Sequence, residues 1–167
     1  MVILLPLTEK ELPETAERRI EIIQQIYELA KLRGFTKNDF IVDGLVMTVS
    51  SNQNAAIEAL QTIKWCSESF NTLTILGLSN ISFGLPARTY INSAFLAMAA
   101  NSGLSLTIAN PSDEIFMNIK YGADVLTGRD KNSKIYICKF SQNSKDQSAS
   151  AQSKKTASAN QKQELYS

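Results

Sequence analysis

At 167 residues the chain is long enough for one domain with a sizeable core, and 44% of its residues are hydrophobic. A formal net charge of +1, with no Lys/Arg stripe interleaved with aromatics, argues against a nucleic-acid surface. Histidine is absent and the two cysteines, Cys66 and Cys138, lie far apart, which removes His-based triads and most zinc sites, so no metal centre is expected.

Val2–Leu5 predicts a short buried strand. The apolar start ends at Leu7 and is interrupted by Pro6, too short for a bilayer span and without the basic flank of a signal peptide. No later run does better, so no membrane is expected and the expected location is the cytoplasm, where both thiols stay reduced. Residues 8–13 read as a loop. From Glu14 to Arg33, Ile20, Ile22, Ile23, Ile26, Leu29, Ala30 and Leu32 recur at three- and four-residue steps, which predicts an amphipathic helix stopped by Gly34. Phe40–Met47 predicts a second strand with Asp43 inside it. Ser50-Ser51-Asn52 offers caps for a helix over Asn54–Phe70, with Ile57, Leu60, Ile63 and Trp65 on its apolar side.

Leu73–Leu76 is apolar and β-branched and predicts a third strand, which runs into Gly77-Leu78-Ser79-Asn80. Pro86 stands where a helix can begin, Ala87–Ser102 predicts that helix, and Gly103 stops it. Leu104–Asn110 predicts the fourth strand. Ser112-Asp113-Glu114 caps a fourth helix, with acid at the positive end of its dipole, and Gly122 is expected to close it. Val125-Leu126 reads as a short apolar tuck, and Lys131–Phe140 fits either a short strand or a little more than one helical turn. Four strand–helix units at this spacing imply an α/β fold with parallel pairing and right-handed crossovers. Composition alone allows a small doubly wound sheet. From Ser141 on, Ser, Gln, Lys, Ala and Asn dominate, and residues 141–167 read as a disordered polar linker.

The run Gly77-Leu78-Ser79-Asn80-Ile81-Ser82, followed by Arg88 and Ile91-Asn92, together with Ile41-Val42-Asp43-Gly44-Leu45, closely resembles the pterin-binding barrel of cobalamin-dependent methyltransferases. That family includes the methyltetrahydrofolate-binding domain of methionine synthase and the methyltetrahydrofolate:corrinoid/iron–sulfur protein methyltransferases. The resemblance covers roughly residues 1–130, with 131–140 as a short connecting element. It implies the carboxyl-terminal half, strands five to eight, of a (β/α)8 TIM barrel.

By resemblance, Asp43 accepts hydrogen bonds from the aminopyrimidine edge of the pterin, where adjacent N–H groups can meet two carboxylate oxygens. Read from the residues alone, it is a strand-end Asp capping a backbone amide. Asn80 read alone is a turn residue. By resemblance it is the catalytic residue, bonded to N5 of 5-methyltetrahydrofolate. An amide can turn either end toward N5 and adds no full charge opposing protonation of the leaving amine. Arg88, otherwise an exposed helix residue, is implied to reach back to the pterin side, while Ser82 and Asn110 line the pocket or orient Asn80, as Ser79 could. Asn92 can pin the preceding loop. Phe83, Phe95 and Met98 follow helical spacing and are expected in the core.

The activity implied is transfer of the N5 methyl of 5-methyltetrahydrofolate to cob(I)alamin on the way from homocysteine to methionine. A corrinoid/iron–sulfur protein is the alternative acceptor. Cobalamin would sit on a separate corrinoid-binding module, and Glu164-Leu165-Tyr166 resembles the opening of such a module's helical cap. The earlier strands of the barrel, with their further pterin ligands, are missing. Expected partners are therefore an upstream half-barrel or a second copy, and the isolated chain is expected to be weak or inactive. A second reading is a truncated, non-catalytic half-barrel serving assembly alone.

Overall fold

The computed structural model describes residues 1–9 and 12–141. The linker predicted for 141–167 lies, beyond Ser141, outside the described residues, as does the Glu164-Leu165-Tyr166 motif. Four strands, β1 (Val2–Leu4), β2 (Phe40–Asp43), β3 (Leu73–Gly77) and β4 (Leu106–Ile108), form a parallel sheet in the order β1-β2-β3-β4. Helices α1 (Ala16–Lys31), α2 (Ala55–Trp65), α3 (Arg88–Asn101) and α4 (Glu114–Leu126) alternate with them.

The start of α1 is set by Thr15, whose side chain accepts from the Arg18 N–H, and its exit by Gly34 at φ +85°. Gly103, at φ +97°, follows α3 in the same way. Asp113 caps α4 by accepting from Phe116 N–H at 3.1 Å. Helix α4 runs straight through Gly122 and ends at Leu126, before Gly128 at φ +71°. A glycine inside a helix is tolerated when its neighbours continue the hydrogen-bond ladder, so the expected stop at Gly122, with a separate tuck at Val125-Leu126, is corrected. The Asn54–Phe70 helix is α2 followed by a π-helical turn, Cys66–Phe70, and Trp65 at the end of α2 stacks on Phe70 at 5.1 Å. Residues 134–141 are helical, which settles the open reading of that stretch.

Strand β2 ends four residues before the expected Met47, because Asp43 and Leu45 turn the chain out of the sheet. Strand β4 is likewise short: Leu104 is not in it but buried in the core, and Asn110 lies beyond it.

All four helices cover one face of the sheet. Leu4, Val42 and Leu76, alternate residues of three strands, are buried against Ile23, Ile63 and Phe95 of the helices. A doubly wound sheet would carry helices on both faces. One-sided winding with sequential strand order is the pattern of a (β/α) barrel segment. The opposite face is open and apolar. Ile3, Leu73, Leu106 and Ile108, which register alignment places there, are 56, 46, 44 and 63% exposed.

Several expected core positions lie outside it. Leu29, Leu32, Ile57, Phe83 and Met98 are exposed, while Phe95 is buried as expected. On α1 the apolar stripe is wider than the contact it makes, and the charged Arg19 is fully buried in its place.

Candidate functional site

The carboxyl ends of β2, β3 and β4 bring the predicted residues to one end of the sheet. At the first tip, Asp43 Oδ1 accepts from the Leu45 N–H at 2.9 Å. This short cap folds the chain back and leaves Leu45 in the left-handed region at φ 54°, a strain of about 1–2 kcal/mol for a non-glycine residue. Gly44 between them has no freedom to gain a side chain. A Cβ there would meet Leu76 Cδ2 at 2.7 Å and Ile63 Cγ1 at 3.3 Å, so glycine lets the tip press on the core.

Beneath this tip lies Arg19, which the sequence reading missed. Its guanidinium donates to the carbonyls of Pro13 (3.1 Å), Glu14 (3.2 Å) and Gly44 (3.4 Å), tying the loop before α1 to the end of β2. Burial pulls the Arg19 pKa down, and the Glu58 carboxylate opposes that shift. The Asp43 carboxyl is pushed above the ordinary carboxylate range by burial, against the opposing hydrogen bond from Leu45 N–H. Val42 faces the helices, so alternation puts Asp43 on the open face.

At the second tip, β3 runs into a 3-10 turn, Leu78–Ser82, and the exposed Asn80 folds back over the strand end. Its Nδ2 lies 3.4 Å from the point where a Cβ would project from Gly77. Gly77 is two residues beyond Ile75, which is paired with Asp43, so its side-chain position also faces the open side. One strand spacing and two residues of rise separate it from the Asp43 position, a diagonal of about 8 Å.

The turn carrying Asn80 is held from two sides. From the β2 loop, Val49 N–H donates to Ile81 O (3.0 Å), and the Thr48 and Ser50 hydroxyls donate to Phe83 O at 2.7 and 2.9 Å. Ser50 thus braces the neighbouring tip instead of capping α2, whose N-cap is Asn54. From α3, Arg88 donates through Nε to Ser82 Oγ at 2.9 Å and through Nη2 to Ser79 O. Ser82 is fully buried, and its hydroxyl donates to Asn92 Oδ1 at 2.7 Å. Just before Arg88, Ala87 is held in the left-handed region at φ 49°.

Asn110 is exposed beyond the third tip, and its Oδ1 accepts from Ser112 N–H at 3.0 Å. Thr89 donates to Asp113, joining the starts of α3 and α4. That bond and the Phe116 N–H hold the Asp113 carboxyl below its ordinary range. Thr48 carried no signal in the sequence beyond its position after a strand, Ser50 read as a helix cap, and Arg19 looked like one more charge on a helix.

A hollow of about 330 Å³ lies at the other, amino end of the strands, lined by Lys37, Asn38, Ser67, Asn71 and Thr72 among others, and does not touch these residues. The Asp43–Asn80 region is instead an open platform. Among the described residues, no group of three or more His, Cys, Asp or Glu could hold a metal ion. No helix there is long and apolar enough to cross a membrane. A carboxylate and an amide at adjoining strand ends on one face can meet two ends of a flat, nitrogen-rich ring, the carboxylate taking paired N–H donors.

Comparison with known proteins adds three relatives. A family model described as pterin binding enzyme matches residues 6–110. Methylcorrinoid:tetrahydrofolate methyltransferase of Eubacterium limosum is 30% identical over 132 residues, 78% of this chain and 49% of that protein. Methionine synthase of Mycobacterium tuberculosis is 31% identical over 125 residues, and that of Mycobacterium leprae 30%, each covering 70% of this chain and 10% of the relative. The chain therefore spans about half the length of the first relative and a tenth of the other two.

Proposed function

Since the chain belongs to the pterin-binding enzyme family, we propose that it forms strands five to eight of a pterin-binding barrel acting on 5-methyltetrahydrofolate. The observation that carries this reading is the placement of Asp43 and Asn80 on one face at adjoining strand ends, over an open apolar sheet. Asp43 receives the aminopyrimidine N–H groups. Asn80 bonds N5 and strengthens that bond as the methyl leaves, so that it lowers the barrier and not merely the ground state. Arg88 and Asn110 complete the platform, while the fully buried Ser82 holds Arg88 from beneath.

In the reaction, the N5–CH3 bond breaks, N5 keeps its electron pair and takes a proton, and the methyl passes to a nucleophile. A corrinoid at the Co(I) level supplies that nucleophilic pair. The same contacts serve transfer in the reverse direction, the direction in which the Eubacterium limosum relative is named. The chain has no histidine to offer a corrinoid cobalt, and the reading places the cobalamin on a separate module or protein. Homocysteine methylation to methionine is the pathway assigned, and a corrinoid/iron–sulfur protein is the alternative acceptor.

The open face needs a cover. Exposed Ile3, Leu73, Leu106 and Ile108, with β1 and β4 as the sheet edges among the described residues, favour a complementary half-barrel, upstream in a longer parent or a second copy. The same observation supports the second reading, a non-catalytic half that acts only in assembly. Titration of the chain with 5-methyltetrahydrofolate, alone and with the complementary half supplied in trans, tests both. Weak binding alone and methyl transfer after complementation support the enzyme. No binding at Asp43 or Asn80 in the completed barrel overturns it and leaves the assembly reading.

A further inference from the structure

The peptide that joins Gly44 to Leu45 is gripped at both of its polar ends. Its carbonyl accepts from Arg19 Nη1 at 3.4 Å, and its N–H donates to Asp43 Oδ1 at 2.9 Å. In a trans peptide these two groups lie in one plane and point in opposite directions. One flat unit thus links the fully buried guanidinium of α1, on the helix side of the sheet, to the carboxylate on the open face. The guanidinium is a rigid fork, and its other arms are already placed, Nε on Pro13 O at 3.1 Å and Nη2 on Glu14 O at 3.2 Å. That leaves Nη1 aimed at Gly44 O. The Gly44 N–H donates to Ile75 O at 3.1 Å, which ties the chain just before the unit to β3.

We propose that Arg19 is a positioning residue for Asp43: through the Gly44–Leu45 peptide it commits Oδ1 to the protein and leaves Oδ2 to the N–H donors of a ligand. The bond from Leu45 N–H closes an Asx turn, a ring that contains both side-chain torsions of Asp43 and so fixes them. Oδ2 lies outside that ring and has no hydrogen-bond partner among the described residues. Oδ1 keeps a second lone pair, so paired donors can still meet both oxygens. The ring needs outside support because Leu45 sits at φ 54°, a conformation leucine does not hold unless its surroundings impose it. A cation on the carbonyl supplies that support and polarises the peptide, which makes its N–H a better donor. The benefit to a ligand rests on the folate reading above, whereas the coupling between Arg19 and Asp43 does not.

Hydrogen exchange by nuclear magnetic resonance on the full 15N-labelled chain, without ligand, tests the coupling. Leu45 N–H is expected to exchange about tenfold more slowly in the wild type than in Asp43→Ala. Arg19→Lys keeps the charge and loses the fork, and is expected to cost Leu45 about the same protection. In the Asp43→Ala background the same Arg19→Lys change is expected to alter Leu45 by less than about twofold, because the bond it supports is already gone. An arginine that merely braces the loop would lower protection by the same factor in both backgrounds, and that result overturns the proposal. So does Leu45 exchanging as fast in the wild type as in Asp43→Ala. Coupling is reciprocal, so Asp43→Ala should in turn speed exchange of the Arg19 Nη1–H. This arm needs no Arg19 variant and carries the test if Arg19→Lys does not fold; an unchanged rate overturns the proposal. Titration of the wild-type barrel, completed in trans, with 5-methyltetrahydrofolate judges the folate reading separately. No binding there counts against that reading and leaves the coupling to the exchange rates. Where the folate binds, Arg19→Lys is expected to weaken its affinity about tenfold, and no loss overturns the positioning role.

Discussion

Asp43 and Asn80 stand on the same face of the sheet at the carboxyl ends of neighbouring strands, the Asn80 amide beside Gly77, whose open-face position lies about 8 Å diagonally from that of Asp43. Neither is an accident of one loop. Asp43 is held by its bond to Leu45 N–H over the Arg19 anchor, and Asn80 by a turn whose Ser79, Ile81 and Phe83 carbonyls are all engaged.

In a completed barrel, Asn80→Ala is expected to lower the methyl-transfer rate by about 100-fold, with a smaller effect on folate affinity, because its bond strengthens as N5 gains charge. Asp43→Asn is expected to act on affinity first, by about tenfold or more, since it loses one of two acceptors for paired donors. Steady-state kinetics separate the two. Equal losses in kcat and KM for both variants would contradict the assigned roles.

The partly buried Asp43 carboxyl also predicts a pH effect. Its folded pKa is raised, so its contribution to stability is fully present below the unfolded value of 3.8 and is lost as pH rises through the folded value. Asp43→Asn keeps an acceptor for Leu45 N–H and removes the ionisation. The variant should therefore gain stability relative to wild type as pH increases from 3 toward 7, while folate binding falls. Urea melts across about this pH range measure the difference.

Arg19 is the unseen support of the site. Arg19→Met would leave the carbonyls of Pro13, Glu14 and Gly44 without their donor in the interior, at a cost of about 3 kcal/mol or more. Chemical denaturation reads the loss. A change within about 0.5 kcal/mol would mean that the three carbonyls find other partners.

The two thiols should differ sharply. Burial pushes the Cys66 thiol up to about 12, whereas Cys138 is exposed. At mildly alkaline pH the native protein is expected to release one equivalent of thiolate product from a disulfide reagent, and two after denaturation. Fast reaction of both in the native state would show that the Cys66–Phe70 turn opens readily.

Gly44→Ala gives a packing test, because the added methyl would lie 2.7 Å from Leu76 Cδ2. A loss of about 1–3 kcal/mol is expected. Pairing it with Leu76→Val, which makes room, should recover part of the loss in thermal melts.

Much of this fold was legible in the sequence. The Ile22/Ile23 periodicity and Gly34 mark α1, Asp113 marks the start of α4, and the spacing of the apolar runs orders four βα units. These signals are local, and hydrogen-bond ladders and caps act over a few residues. Asp43 and Asn80 stood out as polar residues at the ends of apolar strands, while their roles toward a pterin were implied only by the family resemblance.

What the chain order could not convey were relations between distant residues. The burial of Arg19 depends on three carbonyls, two of them five and six residues back and the third 25 residues on, and the role of Ser50 depends on Phe83, 33 residues on. The left-handed Leu45 accompanies the cap that Asp43 places on its N–H, not any preference of leucine. Composition left open whether helices would flank one face of the sheet or both. That was decided in three dimensions, where Leu4, Val42 and Leu76 met helices on one side and the opposite apolar row was left open. Local pattern thus determined the elements and their polar tips. Tertiary packing alone decided which tips share a face, because that depends on strand register and on which side of the sheet each crossover helix buries.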